Sequence, residues 1–316
     1  MAGLLSFIKR LRATFMFWKF TLRRRFIGCL PFSAIEHSAK LAWLIRAVHD
    51  GRVRASGVAR YEAGRIDVGL SRGNALLTMS ANVRESLLDE RIYAGRALQY
   101  RFGSDLRDVA LQLAGKIREI KASARDRAVV LSPFHYVSQY ANIYVVDEVR
   151  RELALPSMSV VSGVPRDIYG EDAAMIPSIR VLHTYDESGS ESRGGLGLQV
   201  VRALRRDGVV VIFSDVPPFT LMKFPMETVD VTMFGRSARV HNGVFRLGAT
   251  VNALLLTFYL RFENGRFNIR LFEPIALRDF DAPQRLANDI EAALRENYPH
   301  WLYAGHPSAY HFAAAR

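Results

Sequence analysis

Apolar residues recur along this chain in three rhythms. Between residues 3 and 27, "GLLSFIKRLRATFMFWKFTLRRRFI", Leu4, Ile8, Leu11, Phe15, Trp18 and Leu22 return every three or four positions, the spacing of one helix face. Residues 34–60 begin with a helical pattern and pass into a Gly- and Arg-bearing stretch that reads as a connector. "RIDVGLSRGNALLTMS", residues 65–80, mixes brief alternation with Gly turns and fits no single element. From 83 to 125 the pattern predicts two helices, broken at Phe102-Gly103-Ser104-Asp105, where Ser104 or Asp105 supplies a cap.

Beyond residue 127, short apolar runs alternate with helical stretches. "RAVVLSPF", "SMSVVSGV", "IRVLHTY" and "GVVVIFSD" predict strands, the last apolar throughout, as in the middle of a parallel sheet. "HYVSQYANIYVVDEVRREL" and "GLGLQVVRALRRDG" predict helices, the second stopping at Gly208. "VDVTMFG", "ALLLTFYLRF" and "RFNIRLFEPI" read as strands with a helix between the first two, and "ENGR" joins the last two as a hairpin. A helix over about 282–297 follows. The order predicts an α/β fold with a mixed, mainly parallel central sheet flanked by helices and an N-terminal amphipathic helical appendage. The expected division is residues 1–60 as a basic amphipathic helical membrane-associating segment and 61–316 as one α/β domain.

Charge sharpens the picture of the N-terminus. The chain is 49% hydrophobic and 23% charged, a globular balance, yet carries +12. Twelve Lys/Arg stand against two acids in the first sixty residues, so ten of those charges sit at one end. A nucleic-acid role would rest on that charge alone, and no nucleic-acid signature accompanies it, so no nucleic-acid partner is expected. No uncharged run within residues 3–27 exceeds the six of Ala13–Trp18, far short of the ~20 residues that span a bilayer, and no signal-peptide cleavage pattern follows. An amphipathic helix lying in an anionic membrane surface fits, with Phe15, Trp18, Arg23, Arg24 and Arg25 as contacts; a helix packed on the domain with a solvated basic face is the alternative. The lone Cys29 forms no internal disulfide, and a reducing compartment is the default.

Two strand ends hold candidate chemistry, since functional groups gather there in α/β sheets. At Ser132-Pro133-Phe134-His135, serine and proline suit a helix start, which would place His135 near the positive end of a helix dipole, neutral and able to act as a base. At Ser214-Asp215, a carboxylate ends an apolar strand before Pro217-Pro218. On position alone, a histidine bonded to a backbone carbonyl and an aspartate capping a turn stay open. There is no G-x-S-x-G elbow and no P-loop, and "GGLGLQVV" lacks the third glycine of a dinucleotide loop. The eight histidines show no metal-ligand spacing, so no metal is expected.

The ordered series "VVLSPFHYVSQYANIYV", "SGVPRDIYG", "LQVVRALRRDGVVVIFSDVPP", "VDVTMFGRSARVHNGVFRLGATVNALLLTFYLRFENGRFNIRLFEPI" and "LRENYPHWLYAGHPSAYHF" resembles the lipid A biosynthesis (lauroyl/myristoyl) acyltransferase family, a branch of the glycerol-phosphate acyltransferase-like fold. That resemblance, over about residues 127–312, implies transfer of a fatty acyl group from acyl carrier protein or acyl-CoA, as co-substrate, to a hydroxyl or amine of a lipid-like or specialised acceptor. It implies no further cofactor, and a peripheral place on the cytoplasmic face of a bacterial inner membrane. His135 would be the general base, with backbone N–H groups near a helix start meeting the oxyanion. Asp215 matches the acid after the later strand, and Arg166 an arginine near the acceptor loop; Ser138, Gln139, Arg239 and Asn242 complete the expected substrate contacts. The family's His-x4-Asp/Glu pattern is broken, because Tyr140 stands where the acid belongs. Three accounts follow: Tyr140 orients the ring, Asp215 reaches it from the neighbouring strand, or the chain binds lipid or acyl groups without turning them over.

Overall fold

A computed structural model describes residues 18, 22–23, 25–94, 104–123, 127–162, 176, 178–183, 193–218, 227–305 and 310. Its centre is a seven-stranded sheet built from β1 (Val129–Pro133), β2 (Met158–Ser162), β3 (Ile179–His183), β4 (Val209–Ile212), β7 (Leu254–Glu263), β8 (Arg266–Leu271) and β9 (Ile275–Ala276). The order is β3-β2-β4-β1-β7-β8, with β9 also on β7. Pairings among β1–β4 and between β1 and β7 are parallel, while β8 and β9 run antiparallel to β7. The fold is therefore mixed α/β with a mostly parallel central sheet. The middle strands are continuous apolar runs because both faces are covered: every residue of β1 is buried, as are Val209, Val210 and Val211.

Helices flank this sheet. In chain order they are α1 (Phe32–His49), α2 (Gly51–Val68), α3 (Ala75–Met79), α4 (Ala81–Ala94), α5 (Ser104–Ser123), α6 (Gln139–Glu152), α7 (Arg193–Asp207), α8 (Gly243–Thr250) and α9 (Ala282–Asn297). Helix α5 packs on α6 and β8, α7 on β2–β4, and α9 on β7 and β9. Helix α1 packs on α4 through Ile35, Ala39, Trp43 and Ala47, and Ile35 belongs to the main core. Residue 60, the expected boundary, falls inside α2.

Three local expectations are corrected. The connector expected before residue 60 is helix, capped by Asp50, which accepts from Arg52 N–H at 2.8 Å, and stopped at left-handed Gly69. Its glycines serve close packing: a Cβ on Gly57 would meet Trp43 at 2.7 Å, and one on Gly64 would meet Tyr298 at 2.5 Å. The unplaced 65–80 stretch becomes the end of α2, a 3-10 turn at Arg72–Asn74, and α3. "VDVTMFG" is only half an element: β5 (Thr228–Met233) turns at Phe234-Gly235 and pairs antiparallel with β6 (Arg236–His241) as a separate two-stranded sheet.

The hairpin expected at "ENGR" is present, with Asn264 and Gly265 at φ 53° and 77° between Glu263 and Arg266. It docks on the start of α1, where Phe32 lies edge-on to Phe267 at 5.6 Å. A Cβ on Gly265 would sit 2.3 Å from the Ser33 backbone nitrogen. Gly265→Ala combines an unfavourable φ with a backbone clash and is expected to cost well over ~1 kcal/mol. A denaturant midpoint unchanged from wild type would show that α1 is not clamped there.

Candidate active site

Adjacency of β1 and β4 creates the site. Val129–Leu131 pair in parallel register with Val209–Val211, so both strands end at the same edge. Two serines stitch the ends: Ser132 Oγ and Ser214 Oγ are 2.5 Å apart, and Ser214 N–H points to Ser132 Oγ at 3.3 Å. One residue beyond Ser214, Asp215 turns its carboxylate onto His135.

That contact has two points. His135 backbone N–H donates to Asp215 Oδ2 at 2.7 Å, and His135 Nδ1 lies 2.7 Å from Asp215 Oδ1. Trp301 Nε1–H also donates to Oδ2, at 3.3 Å, and Tyr310 Oη–H donates to the Asp215 carbonyl. With Asp215 as a carboxylate, Nδ1 carries the ring proton and Nε2 keeps its lone pair. The imidazole is fixed between Phe213 and Tyr303, with ring centroids 4.6 and 4.9 Å away. Asp215 is fully buried, while a little of the His135 side chain stays accessible. A ring of this tautomer and orientation can take a proton at Nε2.

The segment around His135 is a turn, which corrects the expected helix start. Tyr136 N–H bonds Phe134 O, Ser138 N–H bonds Tyr136 O, and Val137 takes φ 70°. Helix α6 begins at Gln139, and its cap is Ser138, not Ser132. The Ser138 hydroxyl accepts from Ala141 N–H at 2.9 Å and donates to Asp89 on α4. Asp89 also takes the Tyr140 N–H. The amides of residues 140 and 141 are thus engaged, and this helix start does not offer them to an oxyanion.

The C-terminal segment backs the turn. Val137 N–H donates to His300 O and Leu302 N–H to His135 O, both at 2.8 Å. Two buried arginines grip the same segment: Arg60 donates to Ala304 O at 2.8 Å and Leu302 O at 2.7 Å, and Arg84 to Pro299 O. Helices α2 and α4 thereby hold Trp301 and Tyr303 against the dyad.

The other expected residues fall apart from it. The Tyr140 hydroxyl is buried without a hydrogen-bond partner, and its ring packs edge-on against Tyr93 at 6.0 Å. It does not orient His135. Ser138 is fully buried and both its hydrogen-bonding roles are used, leaving nothing for a substrate. Gln139 Oε1 is buried and unpartnered. Arg239 is taken up within the β5–β6 ribbon by Thr228 Oγ1 at 2.7 Å and Asp230 at 2.8 Å. Asn242 lies just before α8, its carbonyl accepting from Phe245 and Arg246 N–H. Arg166, Phe15 and Arg24 lie outside the described residues. Trp18 and Arg25 are exposed, whereas Arg23 donates to Glu90 on α4 at 3.0 Å.

Sequence reasoning missed Glu85 and Asp89, one turn apart on α4. Glu85 is half-buried, and burial with repulsion from Asp89 raises its pKa from 4.5 to about 7, against the pull of Arg60, His135 and Arg84. Burial likewise raises Asp89, opposed by its bonds from Ser138 and Tyr140. The only sequence signal was a pair of acids at helical spacing, which reads as a solvated face. A carboxyl whose folded pKa is raised adds stability below its unfolded value and loses it as pH climbs. Wild type should therefore lose stability relative to Glu85→Gln as pH rises from about 4.5 to about 7. Parallel pH–stability curves for the two proteins would refute this.

No protein-family profile matches the chain, and no curated protein matches it. Among the described residues, no group of His, Cys, Asp and Glu can hold a metal ion, and no helix is long and apolar enough to cross a membrane.

Proposed function

We propose that this protein transfers a fatty acyl group from acyl carrier protein or acyl-CoA to a hydroxyl or amine of a lipid-like acceptor, at the cytoplasmic face of a bacterial inner membrane, on a glycerol-phosphate acyltransferase-like fold. One observation carries the proposal. Asp215 holds His135 at two points, 2.7 Å each, and so supplies from β4 the orienting carboxylate that residue 140 lacks.

In the proposed reaction His135 Nε2 takes the proton of the acceptor O–H or N–H as the freed lone pair forms a bond to the thioester carbonyl carbon. The C–S bond then breaks, and the imidazolium returns its proton to the departing sulfur. Asp215 stabilises the imidazolium between the two transfers. No covalent enzyme intermediate is required.

The test is turnover: purified full-length protein with acyl carrier protein or CoA thioesters and a panel of hydroxyl and amine lipids, alongside His135→Ala. Wild-type transfer above background that the variant lacks supports the proposal. Equal, background-level signals across the panel refute it and leave a non-catalytic acyl- or lipid-binding protein.

A further inference from the structure

Helix α1 is apolar on two opposite faces. At 100° per residue, Ile35, Ala39, Trp43 and Ala47 fall together on the face that packs inward, each no more than 6% exposed. Leu41, Leu44, Ile45 and Val48 fall on the opposite face, 61%, 44%, 56% and 75% exposed. One inward face is enough to attach a helix to a domain. A second aliphatic face on the outside is the pattern of a helix that is covered on both sides.

Charge says what covers it. Arg46, in the last turn of α1, and Arg52 and Arg54, in the first turn of α2, are exposed. The only acids from residue 32 to 54 are Glu36, paired with Lys40 at 2.6 Å, and Asp50, bonded to Arg52 N–H. The surroundings are cationic, which suits anionic headgroups above an apolar layer. Three further exposed residues repeat the motif just upstream: Trp18, Leu22 and Phe26, four apart and 58%, 60% and 72% exposed.

We propose that the outward face of α1, Leu41, Leu44, Ile45 and Val48, docks into the interfacial layer of an anionic lipid bilayer. This narrows the membrane-associating segment expected over residues 1–60 to a defined face of α1, apart from the amphipathic stretch at 3–27, and rests only on the membrane half of the proposed function. The inner side of α1 packs on α4, whose Glu85 is close enough to His135 to feel its charge. A bilayer on the outer side therefore lies one helix layer from the dyad's flank, within reach of an acceptor held in the membrane.

The test uses the full chain and vesicles of phosphatidylcholine with or without about one-third phosphatidylglycerol. Leu41→Ser/Ile45→Ser/Val48→Ser changes exposed residues only, and circular dichroism and melting confirm its fold. Co-sedimentation with anionic vesicles is expected to weaken at least about tenfold in this variant. Binding equal to wild type overturns the proposal. So does a concentration-dependent dimer of wild type, seen by light scattering, that the triple variant abolishes, because the stripe would then be an interface between copies. Trp18→Ser/Leu22→Ser/Phe26→Ser, run in parallel, separates the two membrane elements: loss there with no loss in the α1 variant keeps the N-terminal anchor and removes α1. Transfer assayed in detergent micelles reports on the chemistry separately, and the α1 variant should keep it.

Discussion

His135→Ala should lower acyl transfer about 10²- to 10⁴-fold, the usual contribution of a positioned general base, while leaving the fold intact. The expectation follows from where the ring sits. Among the described residues the ring's hydrogen-bond partner is Asp215, through Nδ1, and the opposite nitrogen is the one a substrate would meet. Removing the ring leaves Asp215 with His135 backbone N–H and Trp301 Nε1–H, so the buried carboxylate keeps two donors and does not become an isolated buried charge. A modest change in denaturant midpoint with a large loss of turnover is the expected pair of results. A variant that keeps most of its turnover would remove His135 from the chemistry.

Asp215→Asn is the second large effect, and it separates orientation from mere occupancy. Every donor around the carboxylate points at it: His135 N–H and Trp301 Nε1–H toward Oδ2, and the imidazole toward Oδ1. An amide carries one oxygen and one NH2, so either the Oδ1 contact or both Oδ2 contacts become donor against donor. If the NH2 faces Nδ1, the ring must shift its proton to Nε2, and the lone pair that receives the acceptor's proton is gone. In a comparable carboxylate–histidine pair such a swap costs roughly 10⁴ in turnover. If the NH2 faces the other way, two buried N–H groups lose their acceptor, at ~1–3 kcal/mol apiece. Either orientation damages the protein, and the pH profile of residual activity tells them apart. Tyr140→Phe is the control: the hydroxyl it removes is buried and unpartnered, so the change should be neutral or slightly stabilising. Turnover falling with Tyr140→Phe but not with Asp215→Asn would invert the assignment.

Which parts of this were legible in the chain depends on how local the deciding physics is. The sheet was readable because β1, β4 and β7 are long apolar runs ended by polar residues. Residues 264 and 265 announced their hairpin because two successive positive φ angles are met most cheaply by Asn-Gly. His135 and Asp215 could be singled out as strand-end groups, but their meeting depends on β1 and β4 being neighbours in the sheet, across eighty residues of chain. What failed shares one cause. Gly57 looked like a flexible connector residue, but the Trp43 side chain presses on it from the preceding helix. Phe234-Gly235 carries the same positive φ pair as the hairpin at 264–265, with a residue that gives no turn signal. Ser132 was an adequate helix cap by type, yet Ser214 claimed it and left Ser138 to cap α6.

The arginine grip on the C-terminal segment has a consequence for how the chain comes to be finished. Arg60 and Arg84 bond carbonyls 244 and 215 residues further along, and burial lowers the pKa of both, Arg84 to about 10. During synthesis these two guanidiniums emerge more than two hundred residues before the carbonyls that accept from them. Until residues 299–304 arrive, they have no reason to leave water, and Asp215 lacks the Trp301 donor. Ordering of α2 and α4, closure over the His135–Asp215 pair and arrival of residues 299–304 are thus one long-range event, and a nascent chain assembles that pair in full only once residue 304 has been made.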